Sequence, residues 1–242
     1  MFKKFFSNNI FEIYCLEKYF GVIPEPVPSS KMIPKWFKNV KPFVDTPGTG
    51  RFGENAMTIK KCMPVLDAMS EGFIIPLQGD VTVRSSKNKK YVEVSNAPDP
   101  EFKLIEFHSL DQVGGSTWPG GETWPLKFIN YWIIKTKPGW STLFIAPLNH
   151  FDSRFTCLSG IVDTDRYRRQ VNFPAIWNVP DFNGLLKSGT PLVQCIPIKR
   201  GMGDKFKIRK ATNKEFEEWS NTKDIQNTRL QYYSKELRDG NR

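Results

Sequence analysis

Cysteine is scarce in this chain, and its spacing excludes more than its number does. The four residues Cys15, Cys62, Cys157 and Cys195 stand far apart and form no CxxC pair. That pattern supports neither a structural zinc site nor a dense disulfide framework, and a reducing cytoplasm is the expected home. Long apolar runs are also missing. No stretch approaches the length of a membrane span, and the opening MFKKFFSNN is broken by Ser7, Asn8, Asn9 and Glu12 before it becomes long enough for a secretory signal. No GxSxG elbow, P-loop or dinucleotide-binding glycine pattern occurs. Histidine is limited to His108 and His150. His150-Phe151-Asp152 has the His-x-Asp spacing of two ligands of a facial iron triad, but that triad needs a second histidine downstream, and His108 lies upstream. His150, Asp152 and His108 are therefore the weak candidate metal ligands, for iron or another divalent ion.

What the chain does have is aromatic bulk and positive charge. Nineteen Phe and seven Trp in 242 residues suit a core of packed sheets better than a helical bundle. The net charge of +10 raises the question of nucleic acid. The basic residues are dispersed, however, in small groups such as Lys3-Lys4, Lys60-Lys61, Lys87 with Lys89-Lys90, and Arg166 with Arg168-Arg169. Solubility is the favoured reading of that charge, with nucleic-acid binding a secondary one.

Along the chain, residues 10–16 read as a first strand. The proline-rich VIPEPVP at 22–28 reads as an extended surface run, and 42–55 as loop. A short helix is expected after Pro64. Short strands around Gln78-Gly79-Asp80 and at 91–94 look like hairpins, and 102–107 is a further strand. The loop GGSTWPGGETWP carries Trp118 and Trp124, which either fold back on the core or line a binding mouth. Lys137-Pro138-Gly139 has the signature of a type II turn. From 199 onward the chain holds twelve Lys or Arg against seven Asp or Glu. Phe216, Trp219, Leu230 and Tyr233 there fit amphipathic helical pieces, with Asn213 as a candidate cap. The expected organisation is one mainly β domain over 1–198, its first 56 residues an extended wrap, and a basic, partly helical tail over 199–242.

The most structured grammar runs from Cys157 to Arg200. β-type runs at 159–162, 170–177 and 191–198 enclose the acidic turn Asp163-Thr164-Asp165 and the turn Lys187-Ser188-Gly189-Thr190. Two carboxylates at a strand end tune one another's acidity, which suits a general base or a metal-bridging group. The same tripeptide is also a common device for capping backbone amides.

The order APLNHFDSRFTCLSGIVDTDRYRRQVNF and then LKSGTPLVQCIPI resembles the core of the dUTP pyrophosphatase and dCTP deaminase superfamily, whose fold is a β-clip. Gly160, Ile161, Val162, Asp163, Thr164 and Asp165 match the family's acidic turn, with Arg166 inserted before Tyr167. Gly189, Leu192, Val193 and Gln194 match its later strand. The resemblance implies a β-clip-like fold or related sandwich, and catalytic roles for Asp163 and Asp165, with Asp163 positioning or deprotonating a water. It implies a nucleotide-type ligand contacted by Tyr167, and a homotrimer. The candidate substrate-binding side chains are Tyr167, Gln194, Arg154, Arg168 and Trp118. The family's phosphate-binding Arg-Ser segment is replaced here by Asn149-His150-Phe151-Asp152-Ser153-Arg154, and its glycine-rich terminal arm has no counterpart. The whole chain, including PEPVPSSKMIPKWFK, also resembles an uncharacterised family of phage and bacterial proteins. That likeness implies a phage origin and a place in the host cytoplasm or the virion. The rival expectation is a non-catalytic assembly or virion protein that uses the β fold as scaffold and the tail as contact.

Overall fold

The computed structural model describes residues 9–51, 53–88, 91–96, 102–201, 206–229 and 231–239. The expectations placed on Lys3, Lys4, Lys89, Lys90 and Leu230 lie outside them. The chain is mainly β. Its strands are β1 Phe11–Tyr14, β2 Val27–Pro28, β3 Phe73–Pro76, β4 Val81–Ser85, β5 Val92–Asn96, β6 Ile105–Phe107 and β7 Leu126–Phe128, followed by β8 Ile133–Thr136, β9 Trp140–Ile145, β10 Phe155–Cys157, β11 Gly160–Val162, β12 Phe173–Trp177, β13 Asn183–Leu186 and β14 Pro191–Lys199. The α-helices are α1 Lys35–Asn39, α2 Met63–Ser70 and α3 Asn213–Thr228.

The chain divides into two compact units, Met1–Ile33 with Met69–Arg200, and Pro34–Ala68 with Gly201–Arg242. The division differs from the boundary expected at 198/199, because the segment after Ile33 groups with the tail.

Among the described residues, the first unit holds every strand. A five-stranded antiparallel sheet has the order β11-β9-β14-β3-β2, and a four-stranded one the order β10-β12-β7-β6. A three-stranded sheet β13-β4-β5 and the pair β1-β8 complete it. β4 and β5 form the expected hairpin, from Val81 opposite Asn96 to Ser85 opposite Val92. β3 and β4 do not pair, because Gln78-Gly79-Asp80 carries the chain from one sheet to another. Lys137-Pro138-Gly139 turns as predicted, with Gly139 at φ 84° and Trp140 N–H donating to Lys137 O at 3.1 Å. It too joins strands of different sheets, since β8 pairs with β1 and β9 with β14.

Between the sheets lies one apolar cluster that includes Phe73, Ile75, Val83, Leu126, Phe128, Phe144, Phe173, Trp177 and Val193. Flat and β-branched side chains on alternate strand positions fill it, as the phenylalanine-rich composition requires. A buried amide pair crosses it. Gln78 Nε2 donates to Asn130 Oδ1 at 2.9 Å, while Gln78 Oε1 accepts from Tyr131 N–H at 3.0 Å. Asn130 in turn serves Trp132 O and Trp132 N–H, so side-chain amides take up backbone groups in the break between β7 and β8.

In the second unit the helix cap is Thr212, one residue before the expected Asn213. Thr212 and Glu215 make a reciprocal capping box. Glu215 is held down to about 2, first by its hydrogen bond from Arg209 and then by those from Thr212. Arg238 forks onto Asp67 at 2.7 and 3.0 Å, tying the end of the tail to α2.

β14 is the centre of the larger sheet, and the backbone of Gly72 lies tightly against it. That residue sits at φ 65°, and a Cβ there would lie 1.9 Å from Cys195 O. Gly72→Ala is expected to cost more than the roughly 1–2 kcal/mol of a left-handed alanine alone, because β3 and β14 must separate as well. A denaturant titration that shows a loss below about 1 kcal/mol would contradict this packing.

Candidate functional site

The acidic turn closes onto the β9 end of the five-stranded sheet. β11 pairs with β9 from Gly160 opposite Phe144 to Val162 opposite Thr142, which brings Thr164 into the interior. The Thr164 hydroxyl lies 2.7 Å from Thr142 Oγ1 and 2.9 Å from Thr136 Oγ1, and all three residues are buried. On either side of it the carboxylates meet donors of the protein itself. Asp165 accepts from Gly139 N–H at 2.9 Å and from Arg200 Nη1 at 2.8 Å, with Arg200 Nη2 closing a two-pronged ion pair. Asp163 Oδ1 accepts from Ser141 Oγ at 2.7 Å and lies 3.3 Å from Arg200 Nη1. The Asp165 side chain is 7% exposed and that of Asp163 49%. Arg200 hydrogen bonding, with help from Gly139 and against the cost of burial, holds the Asp165 carboxyl far below the usual range. A carboxylate locked as an anion by a guanidinium takes up no proton near neutrality, so Asp165 is a counter-ion of Arg200 and not a general base.

The expected meeting of this turn with Gln194 does not occur. In the β14–β9 register Ser141, which holds Asp163, stands opposite Ile198, whereas Gln194 stands opposite Ile145. Four residues of strand, about 13 Å, separate the two positions. Gln194 is itself wholly buried and spends its amide on backbone, accepting from Leu148 N–H at 3.0 Å and donating to Glu71 O at 2.7 Å. Tyr167 and Arg168, which follow the acidic turn, are exposed.

What Gln194 does organise is the loop between β9 and β10. With Leu148 pinned, the chain passes through Asn149 at φ 60° and Phe151 at φ 53°, two left-handed residues that flank His150. Asparagine tolerates that conformation, but phenylalanine does so only under constraint, so the loop carries strain that its surroundings hold in place. Beneath the loop lies a cavity of about 520 Å³. Its walls include Ile145, Pro147, His150, Phe155, Cys157 and Leu192. His150 Nε2 is buried and has no hydrogen-bond partner. Burial pushes the His150 pKa down, opposed in part by the charge of Asp152. The imidazole is therefore neutral at neutral pH and offers one unused hydrogen-bonding position in a largely apolar hollow, the composition of a small-molecule site. Cys157 is no nucleophile there, because burial raises its thiol far above the ordinary range.

The metal triad expected of His150, Asp152 and His108 is not assembled. His108 follows β6 and Asp152 precedes β10, and these strands are the opposite edges of the four-stranded sheet. Three strand spacings, about 14 Å, lie between them. Asp152 is also committed to Arg154, accepting from its Nε at 3.0 Å and its Nη2 at 2.7 Å. Burial raises the Asp152 carboxyl, but these bonds and the Arg154 charge outweigh it and hold the group low. Among the described residues no group of three His, Cys, Asp or Glu could hold a metal ion. Arg154 thus stands at the cavity loop as half of an ion pair.

Trp118 is buried, its indole N–H donating to Thr123 O at 3.0 Å, and it serves as the anchor of its loop. The tryptophan of that loop that faces solvent is Trp124, which lines a second hollow with Tyr91 and Phe107. The sequence marks His150 as a weak metal ligand or, preferably, as a histidine hydrogen-bonded at a loop; its Nε2 is instead unpartnered, and nothing in the sequence marks the cavity. Asn149 was the one legible sign of a left-handed bend, and nothing marked Phe151.

No protein family and no curated protein matches the chain. Among solved structures, a mutant dUTPase from phage phi11 of S. aureus, described for its coordination of a structural Mg(II) ion, is 8% identical. The match covers 58% of this chain and 84% of that one, with a TM-score of 0.32. A mutant dUTPase of Staphylococcus bacteriophage 80alpha, with dUpNHpp, is 7% identical over 86% of this chain and 92% of that one, with a TM-score of 0.34. No helix among the described residues is long and apolar enough to cross a membrane.

The acidic turn makes a two-part prediction. Thr164→Val leaves Thr136 and Thr142 short of a partner and is expected to cost about 1–3 kcal/mol in chemical denaturation. Asp165→Asn is expected to lower the melting temperature at pH 7. Because the folded-state pKa of Asp165 is depressed, its contribution is full above the unfolded value near 3.8 and fades as pH falls below it. Melting curves of wild type and variant should therefore converge in acid, and a gap that widens there would contradict the ion pair's role.

Proposed function

We propose that the chain is a small-molecule binding protein whose site is the cavity beneath the 146–152 loop. The observation that carries this reading is the buried, unpartnered Nε2 of neutral His150 in an otherwise apolar hollow. A buried nitrogen without a partner carries a desolvation cost that a ligand group can relieve. The ligand class that suits it is planar and apolar on its faces, with a hydrogen-bonding edge, as a nucleobase is. Phe151, 76% exposed beside the cavity, offers such a ring a stacking partner. Binding without hydrolysis is favoured, because the paired carboxylates of the acidic turn are engaged by Arg200, Ser141 and Gly139.

A second reading, an assembly or interaction protein, is favoured by the tail. Phe206, Ile208, Phe216 and Trp219 are all exposed there, more large apolar surface than a solvated tail needs. The homotrimer suggested by resemblance belongs with either reading and is tested by light scattering.

The deciding experiment is a thermal-shift screen of nucleobases, nucleosides and nucleotides on wild type and His150→Phe. A ligand at a hundred times its dissociation constant stabilises by about 2.7 kcal/mol, and that shift should vanish in the variant. A flat response of wild type to every compound would leave the interaction reading standing and remove this one. Without ligand, the depressed His150 pKa adds a second expectation. Its neutral form supports the fold above the unfolded value of about 6.5, and that support is lost as pH falls through the lower folded value. Wild type should lose stability between pH 7 and 5 more steeply than His150→Phe, as melting curves across that range would report.

A further inference from the structure

The acidic turn leaves a basic remainder. Asp163 and Asp165 are consumed from inside, by Ser141, Gly139 and Arg200. The next four residues, Arg166, Tyr167, Arg168 and Arg169, are all exposed. Among the described residues, none of these four side chains makes a hydrogen bond or ion pair. In the sequence the two aspartates appear to offset the arginines. In the fold Arg200 takes up one of the two negative charges and Arg166 also acts on Asp165, so the turn with Arg200 keeps a net positive charge that is carried outward by Arg168 and Arg169.

Their support is stiff. Arg166 N–H and Tyr167 N–H both donate to Asp163 O at 2.9 Å, and Thr164 beneath them is locked among three hydroxyls in the core. β11, which feeds the turn, is the edge strand of the five-stranded sheet. A rigid knuckle at a sheet edge therefore presents three permanent cations with a phenol ring, 44% exposed, set among them.

We propose that the 166–169 knuckle is a contact site for single-stranded nucleic acid. Arginine forks match phosphate oxygens in geometry and charge, and an exposed ring accepts the face of any base. A duplex hides those faces and gives Tyr167 nothing to stack on. An acidic peptide supplies charge but no ring. The molecule's net charge of +10 adds long-range attraction for a polyanion. This site is independent of the cavity at His150.

The test is fluorescence anisotropy of the full chain with labelled oligothymidylate, an abasic strand of equal length, and duplex DNA, between 50 and 200 mM salt. Wild type should prefer oligothymidylate, with affinity falling roughly 20-fold across that range if three phosphates are neutralised. Arg168→Ala with Arg169→Ala should flatten the log–log salt slope by about 1.4. Tyr167→Ala should weaken oligothymidylate at least about 5-fold and leave the abasic strand unchanged. Since these side chains are exposed and none makes a hydrogen bond or ion pair among the described residues, melting temperatures should hold, which separates loss of contact from loss of fold. No binding at 50 mM salt, equal binding of duplex, or full binding by the arginine double variant would each overturn the proposal, the last by assigning attraction to charges elsewhere.

Discussion

The acidic turn and the His150 loop, both in the first unit, are positioned by one strand. β14 lies between β9 and β3, and Leu192 to Cys195 are buried, so its register can slip only by driving polar groups into the core. Its two ends then do different work. Near the start Gln194 spends both halves of its amide on backbone, which fixes Leu148 and with it the strained loop over the cavity. Just past the end, Arg200 receives both carboxylates of the turn after β11. The sheet acts as a ruler that keeps these two features apart, and no side-chain motion can merge them.

That separation changes the meaning of a motif. Asp-Thr-Asp at a strand end reads equally as catalysis or as capping, and the outcome depends on a residue thirty-five positions away. A buried-edge carboxylate without a counter-charge would be raised by desolvation and become a usable base. With a guanidinium forked onto it, the same carboxylate is held as an anion and becomes a fastening. Arg200 sits immediately after a strand whose last residues pair with Trp140 and Ser141, so register alone delivers the guanidinium to the turn. The chemistry of the acids is set by strand pairing and not by their own local sequence.

This explains what was legible in the residues and what was not. The strands at 159–162, 170–177 and 191–198 stand out because Val, Ile and Phe run between turn residues, and the structure places β11 and β12 within those bounds and carries β14 one residue further, to Lys199. Which strands pair was not legible: Gln78-Gly79-Asp80 and Lys137-Pro138-Gly139 look like hairpin turns, yet both cross between sheets. Turn chemistry fixes a local reversal, whereas pairing is decided by which faces share a core. Of the candidate site, His150, Asp152 and Arg154 were visible as chemistry-bearing residues. Their cavity was not, because its walls at Ile145 and Leu192 meet only through the β9–β14 ladder. Trp118 and Trp124 show the same limit, since one loop buries the first and exposes the second.

Strain and burial are coupled at the His150 loop. Left-handed Phe151 is costly, and a buried imidazole nitrogen without a partner is costly again. Such costs persist only where the surroundings over-determine the conformation, and here the buried Gln194 amide and the Asp152–Arg154 fork grip the loop before and after His150. A hollow prepared in this way has already met the expense of desolvating and orienting its polar group. An incoming molecule then need not order the loop, and a modest contact area is enough for measurable affinity. The knuckle at 166–169 follows the opposite logic, with a rigid base and freely solvated cations, which favours fast, salt-sensitive contact with an extended polyanion over enclosure of a small molecule.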